Sequence, residues 1–203
     1  MLSAYAAFDS LYVGLYLERA LRNFAEAEVH LFGYLGCLLS LYRKQPVSNW
    51  GYSFSGTRNG APFSVELNTA LAALKAAGML KSEGEFLQLT ETGKTECQGL
   101  SELSLNQERL LCLDGACGCL LTMPVGVVRN ALFQEPMLRP AIRLNDARPL
   151  LEGPGLSLIY DQFSELSNAI GVNVSDLLLP ATLWLTYLSQ TAPDSTSRLL
   201  HAP

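Results

Sequence analysis

The chain has 203 residues and a formal net charge of −5; 49% of the residues are hydrophobic and 16% are charged. This length allows one sizeable domain or two small lobes that share an interface. The negative charge argues against a protein that grips nucleic-acid phosphates over a broad face. The high apolar content favours a protein whose surface is partly covered by a partner.

The first part of the sequence predicts two helices. Leu11, Leu15 and neighbouring aromatic residues recur at helical spacing between about residues 6 and 22. A longer helix is predicted at residues 25–43, with one apolar side. That side consists of Val29, Phe32, Leu35, Leu39 and Tyr42.

The next segment predicts a short strand, a loop and a third helix. The stretch NWGYSFS alternates Trp50, Tyr52 and Phe54, which is the period-two pattern of a strand. The glycine-rich stretch GTRNGAP follows as a loop. Apolar residues between Phe63 and Ala77 have the 3.6-residue period of an amphipathic helix, and we expect Gly78 to end it.

A β-hairpin is predicted immediately after this helix. In MLKSEGEFLQL, two short apolar strands flank a loop at Ser82–Glu85. The sequence TETGK then opens another helix with a threonine cap. Helix, helix, hairpin and helix is the order of a winged-helix domain, which we place at residues 25–104, after an N-terminal helix within residues 1–24.

The second half of the sequence predicts a helical lobe at residues 105–191. Two helices are expected before the proline-rich stretch QEPMLRPAIRLNDARPLLEGPG, which we interpret as an irregular crossing. Two more helices are predicted at residues 156–170 and 175–188, followed by a flexible tail at 192–203. The predicted fold is therefore mainly α with a small β-hairpin, a winged helix plus a second helical lobe.

The location of the protein is inferred from its apolar segments. The best membrane candidate, Leu110 to Val128, contains Asp114, three glycines and Pro124, so it suits a core helix better than a membrane span. The N-terminus lacks the basic region and cleavage pattern of a secretory signal. We therefore expect a cytoplasmic protein.

Five cysteines raise the question of a metal site. Cys112, Cys117 and Cys119 lie close together in CLDGACGC, but this C-x4-C-x-C spacing has no second half. The two histidines, His30 and His201, stand apart from it and from each other. Small thiols buried among leucines are the better interpretation, so we expect no metal ion and no cofactor.

Catalytic patterns are also missing from the sequence. There is no G-x-S-x-G motif, and two separate histidines do not favour a catalytic triad. Gly93-Lys94-Thr95 resembles the end of a P-loop, but Gln88 stands where that loop needs its first glycine. His30 is expected to be a structural residue rather than a base. We therefore expect that the protein is not an enzyme.

The basic residues are scattered, and the predicted recognition helix carries only Lys75, opposed by Glu66. Five cations could line one edge of the winged helix and contact DNA phosphates weakly, or could be ordinary charges of helix ends and loops. They are Arg43, Lys44, Arg58, Lys75 and Lys81. Carboxylates around the hairpin form an acidic edge that faces solvent or a partner. The sequence therefore favours a winged helix that binds protein.

One stretch resembles a known family. EVHLFGYLGCLLSLYRKQPVSNWGYSFSGTRNGAPFSVELNTALAALKAAGML, followed by LQLTETG, is similar to the winged-helix core of small middle components of bacterial three-component ABC-ATPase defence systems, such as Lamassu. The shared pattern is an aromatic-rich helix, W-x-Y-x-F, G-x-P-[FY]-S at a helix start, and L-x-x-L-x-x-x-G-x-L before the hairpin. The similarity covers about residues 29–93. Phage-associated antitoxin-like proteins have a similar pattern.

The resemblance implies a role without catalysis. In such systems the middle component is an accessory subunit that holds together an SMC-like ATPase and an effector nuclease, and it supplies no catalytic residues. The chain could instead be a free-standing winged-helix regulator or antitoxin. Composition favours the accessory subunit, because an autonomous DNA-binding protein should have a basic face. Any contact with DNA would then be weak and made through the complex.

Two groups of aromatic residues are the predicted contacts with the ATPase subunit. Trp50, Tyr52 and Phe54 would form a strand that cannot bury both faces, while Trp184 and Tyr187 lie three residues apart on the last helix. Aromatic side chains that fill a partner's pocket dominate interface energies. We therefore expect at least one of these groups to lie in the interface.

Overall fold

The computed structural model describes residues 3–144, 147–171 and 176–191. Helix accounts for 68% of it, so the predicted mainly helical fold with a small hairpin is confirmed. Its α-helices are α1 Ala4–Leu21, α2 Glu26–Tyr42, α3 Val65–Ala76, α4 Glu91–Ser101, α5 Gln107–Gly118, α6 Val125–Leu132, α7 Leu138–Leu144, α8 Pro154–Ile170 and α9 Leu178–Gln190. Its strands are β1 Ser55–Gly56, β2 Pro62–Phe63, β3 Leu80–Glu83, β4 Phe86–Leu89 and β5 Arg148–Pro149. The predicted flexible tail, 192–203, lies outside the described residues.

Helix α2 is the centre of the fold. Every residue from Val29 to Leu41 is buried, which is typical of a helix that is apolar on all sides. Helices α1, α3, α5 and α8 and strand β2 all pack against it. Gly36 permits one of these contacts, because a Cβ there would lie 2.9 Å from Leu113 Cδ2 of α5.

The unit from α3 to α4 follows the prediction closely. Ser64 caps α3 by accepting a hydrogen bond from the Leu67 N–H at 3.3 Å, and Gly78 follows the helix with φ 70°. Strands β3 and β4 pair antiparallel through a two-residue turn at Gly84-Glu85. Thr90 then caps α4. A helix, a glycine stop, a hairpin and a capped helix are therefore present.

The predicted strand at Trp50–Phe54 is wrong. Residues Val47–Trp50 form a 3-10 turn, and Gly51 reverses the chain with φ 82°. Regular pairing begins only at Ser55, which lies opposite Phe63 on one side and Pro149 on the other. The alternating aromatic residues face the interior from an irregular segment, so their period does not come from a strand.

The proline-rich stretch is more regular than predicted, since it contains α7 and β5. Its prolines occupy positions that ordered structure tolerates. Pro140 lies in the first turn of α7, where its missing N–H breaks no bond within the helix. Pro149 lies on β5, an edge strand of the β2-β1-β5 sheet, and Pro154 is the first residue of α8.

One hydrophobic core runs through both of the predicted lobes. It contains Phe8 of α1 and Trp184 of α9, and α5 packs against both α2 and α9. Among the described residues, no single helix is long and apolar enough to span a membrane. Ser104–Leu121 and Val125–Leu132 reach that length only as a pair, which is bent by 120°.

Candidate protein-binding surface

The outward side of α3 carries no charge. Its most exposed large residue is Val65, with 66% of its surface accessible. The exposed residues of this helix are Val65, Asn68, Thr69, Ala72 and Ala76. A winged helix that binds DNA would place its cations and amides on this side, because they contact phosphates and base edges. Here the surface is small, neutral and partly apolar.

The hairpin beside α3 adds an acidic tip. Every residue from Lys81 to Phe86 is exposed, and Phe86 exposes 47% of its surface. Glu83 and Glu85 outnumber the single cation Lys81, so the tip repels phosphates. We call the outward side of α3 together with residues 81–86 the α3–hairpin surface.

Two of the five predicted DNA-contacting cations are held in ion pairs. Arg43 lies 3.1 Å from Glu108, just after the C-terminal end of α2. Lys75 lies 2.6 Å from Glu26, the first residue of α2. Because α2 has 17 residues that each advance about 1.5 Å, these pairs lie about 25 Å apart.

The other three predicted cations are exposed but belong to different elements. Lys44 follows α2, Arg58 lies in the turn between β1 and β2, and Lys81 lies on β3. The fold therefore distributes the five cations over different elements, and two of them bind carboxylates.

The first predicted aromatic interface is part of the core. Trp50, Tyr52 and Phe54 expose 3%, 7% and 2% of their surfaces. Their rings pack against one another, with centroids 6.1 Å apart for Trp50–Tyr52 and 5.3 Å apart for Tyr52–Phe54. The expectation of an exposed aromatic strand is wrong because α1, α2 and α5 supply enough surface to bury all three residues.

The second predicted group is divided between core and surface. Trp184 is buried, packs edge-on against Phe163 at 4.8 Å, and donates from Nε1 to Gln162 at 2.9 Å. Tyr187 exposes 49% of its surface and shares the outer side of α9 with the exposed Leu179 and Leu183. Of the five predicted aromatic contacts, only Tyr187 is available to a partner.

The structure contains a buried ionic cluster that the sequence did not predict. Asp9 of α1 is fully buried and holds Arg109 of α5 through two hydrogen bonds, one of them 2.8 Å between Arg109 Nη2 and Oδ2. The Tyr52 hydroxyl also donates to Asp9, and the guanidinium lies 3.9 Å from the centre of the Trp50 ring. Burial raises the pKa of Asp9, while Arg109 and Tyr52 oppose this rise.

The cluster ties α1, α5 and the 50–54 segment together, because both oxygens of Asp9 accept hydrogen bonds from side chains of the other two elements. A cavity of about 170 Å³ lies beside it, with Cys112 in its wall. Burial raises the pKa of Cys112 to about 12, which keeps the thiol protonated at neutral pH.

His30 and the segment Gly93-Lys94-Thr95, which the sequence analysis considered as catalytic elements, make contacts that hold the fold together. His30 Nδ1 accepts a hydrogen bond from the Ser64 N–H at 3.2 Å, and burial lowers the His30 pKa to about 4, so the ring is neutral. Lys94 lies 3.2 Å from both Glu18 and Glu91. Gly93 lets α4 approach the hairpin, because a Cβ there would lie 2.2 Å from the Met79 oxygen.

The cysteines of CLDGACGC lie separately in the core. Cys112, Cys117 and Cys119 are buried free thiols, and Cys119 Sγ donates to the Gly115 carbonyl at 3.4 Å. In the part of the chain that the structure describes, no three His, Cys, Asp or Glu side chains come together as metal ligands do.

Comparison with known proteins gives no match to a protein-family model, a curated protein or a solved structure.

Proposed function

We propose that this chain is a non-catalytic accessory subunit that works by binding other proteins. The observation that carries this proposal is the α3–hairpin surface, which has the position of a DNA-reading surface but a neutral helix and an acidic tip. Such a surface repels phosphates and offers Val65 and Phe86 as apolar contacts.

The resemblance to middle components of three-component ABC-ATPase defence systems supports a more specific form of this proposal. In that form, the chain is a scaffold between an SMC-like ATPase and an effector nuclease in an antiviral complex directed against phages or plasmids. The similar residues, about 29–93, run from α2 through the hairpin into α4, and thus include the whole α3–hairpin surface.

A free-standing winged-helix regulator or antitoxin is the second candidate. It is favoured by the intact order of α3, hairpin and α4, and by Asn68 and Thr69, which could hydrogen-bond to bases. Its weakness is electrostatic, because Lys75 is bound to Glu26 and the hairpin tip is acidic.

Binding to duplex DNA separates the two candidates. Each neutralised phosphate adds just under one unit to the slope of log affinity against log salt, and only Lys44, Arg58 and Lys81 of the predicted cations are free of described ion pairs. We therefore expect weak binding with a slope of magnitude about three or less. A slope near ten, or tight binding to one short duplex at physiological salt, would favour the regulator.

Co-purification with the neighbouring gene products tests the scaffold proposal. Ala72→Arg introduces a long, positively charged side chain on the outward side of α3 at an exposed position, so it replaces no buried residue. We expect it to weaken recovery of the partner at least about tenfold, since a misplaced charge at an interface costs upwards of about 1.4 kcal/mol.

The matched control is Ala169→Arg, which places the same residue on an exposed position of α8. Circular dichroism should show that both variants are folded. The proposal fails if no neighbouring product co-purifies with the wild type, if Ala72→Arg retains the partner fully, or if both variants lose it equally.

A further inference from the structure

Four arginines lie where α7 packs against the small β2-β1-β5 sheet. Arg58 is exposed in the turn between β1 and β2, and Arg148 lies on β5. Arg139 and Arg143 are four residues apart on α7, so they project from the same side of that helix. These four cations belong to a chain whose net charge is −5.

The turn that carries Arg58 lies close to α7, and β5 lies beside β1. Arg58 precedes Gly60 in its turn, and the turn lies so close to α7 that a Cβ on Gly60 would be 2.2 Å from Ile142 Cγ1. Ile142 is the neighbour of Arg143 on that helix. Arg148 pairs in register with the last residue of β1.

Within the described residues, which leave out Asp146, none of the four arginines forms a salt bridge, whereas Arg43, Arg109 and Arg129 each bind an aspartate or a glutamate. Glu135, four residues before Arg139, is buried and accepts hydrogen bonds from two backbone N–H groups. Of the four arginines, only Arg148 acts on it, by lowering its pKa against the larger effect of burial.

Apolar surface lies between the charges. A groove of about 400 Å³ runs along α7, lined by Arg139 and Arg143 together with Pro136, Pro140 and Leu144. Leu144 exposes 67% of its surface. We call this feature the arginine groove.

We propose that the arginine groove binds an acidic segment of a partner protein that also carries apolar side chains. Guanidinium groups hold carboxylates through paired hydrogen bonds, and arginine is enriched among residues that dominate interface energy. Leu144 and the two prolines supply the surface for a leucine or similar side chain. This inference rests on the proposed protein-binding function and gives the chemistry of one contact.

A nucleic acid fits the groove less well. Its backbone offers phosphates without apolar side chains, so Leu144 would face sugar and water. Three or four cations also neutralise too few phosphates to hold DNA on an acidic chain at physiological salt. An acidic peptide segment uses both the charged and the apolar parts of the groove.

The test compares two double charge reversals. Arg139→Glu with Arg143→Glu removes the cations of the groove, and Arg19→Glu with Arg22→Glu makes the same change in net charge at exposed positions outside both proposed surfaces. The probe is a fluorescein-labelled peptide of Glu-Glu-Leu repeats, followed by fluorescence anisotropy. We expect the groove variant to bind it at least about tenfold more weakly than the wild type, and the control to bind it within about twofold.

Several outcomes would overturn the inference. They are no binding by the wild type, equal loss in both variants, or a preference for short duplex DNA or for polyglutamate over the Glu-Glu-Leu peptide. Sedimentation that shows a wild-type oligomer lost only in the groove variant would assign the groove to the acidic hairpin of a second copy. A groove variant that loses the peptide but still co-purifies with the ATPase would leave the proposed function standing and remove the groove from that interface.

Discussion

Replacing Arg109 with alanine is expected to lower the free energy of unfolding by about 3–5 kcal/mol, because it leaves the Asp9 carboxylate buried without its partner. Asp9 is fully buried, and among the described residues only Tyr52 would still donate to it. The loss of packing against Trp50 adds to this cost. Urea unfolding followed by circular dichroism measures the change.

Two further variants separate the buried pair from charge in general. Arg129→Ala removes an arginine from a more exposed pair with Glu28 and is expected to cost about 0–1 kcal/mol. The double variant Asp9→Leu with Arg109→Met leaves no buried charge and should recover part of the loss; the rest remains because the Tyr52 hydroxyl loses its acceptor. If Arg109→Ala costs no more than Arg129→Ala, the cluster does not hold the three elements together.

The sequence predicted the α3-to-α4 unit well because its signals are local. The stop at Gly78, the hairpin and the Thr90 cap each depend on neighbours within about four residues. The predicted strand at 50–54 failed because alternating aromatic residues can face a core from irregular backbone as well as from a strand. Which of the two occurs depends on α1, α2 and α5, whose packing no local pattern reveals.

Long-range contacts also explain what was missed in the second half. Strand β5 exists because Pro149 reaches Ser55, a pairing that nothing near residue 149 announces. The arginines of the proline-rich stretch were visible as residues, and the spacing of Arg139 and Arg143 could have indicated a helix side. The prolines concealed this signal, since their tolerated positions are recognised only once the helix and strand bounds are known.

The sequence predicted that α3 has little positive charge, but it did not predict the ion pairs between residues that are far apart in the chain. The sequence shows directly that α3 carries a single cation, Lys75, and the structure places uncharged residues on its outward side. The pairing of Lys75 with Glu26, 49 residues away, could not be predicted, because both residues resemble ordinary surface charges. The same holds for Asp9 and Arg109, which are 100 residues apart.

Two buried groups, His30 and Glu135, are expected to make the free energy of unfolding depend on pH in opposite directions. Their two contributions nearly cancel in the wild type. Burial lowers the pKa of His30 from 6.5 to about 4, so between these values the unfolded chain binds more protons. This contribution to stability is present above pH 6.5 and is lost as the pH falls. It amounts to about 3 kcal/mol, since one pKa unit corresponds to about 1.4 kcal/mol.

Glu135 acts in the other direction. Burial raises its pKa from 4.5 to about 7, opposed by hydrogen bonds from Met137, Leu138 and Tyr34, so the folded chain binds more protons between these values. Its contribution is present below pH 4.5 and is lost as the pH rises through 7, again by about 3 kcal/mol. Between pH 4.5 and 6.5 the two slopes have opposite signs and similar sizes.

Single variants should therefore show a slope of the free energy of unfolding against pH that is nearly absent in the wild type. His30→Asn keeps an acceptor for the Ser64 N–H but does not titrate, so its stability should fall as the pH rises from 4.5 to 7. Glu135→Gln removes the opposing group, so its stability should rise between pH 4 and 6.5. Urea unfolding at several pH values compares the slopes, which do not depend on any constant loss that each substitution causes.

If the stability of both variants has the same dependence on pH as that of the wild type, the two groups do not titrate differently in the folded and unfolded chains. The His30 proton resonances offer a direct check, because they should stay those of a neutral ring down to about pH 4.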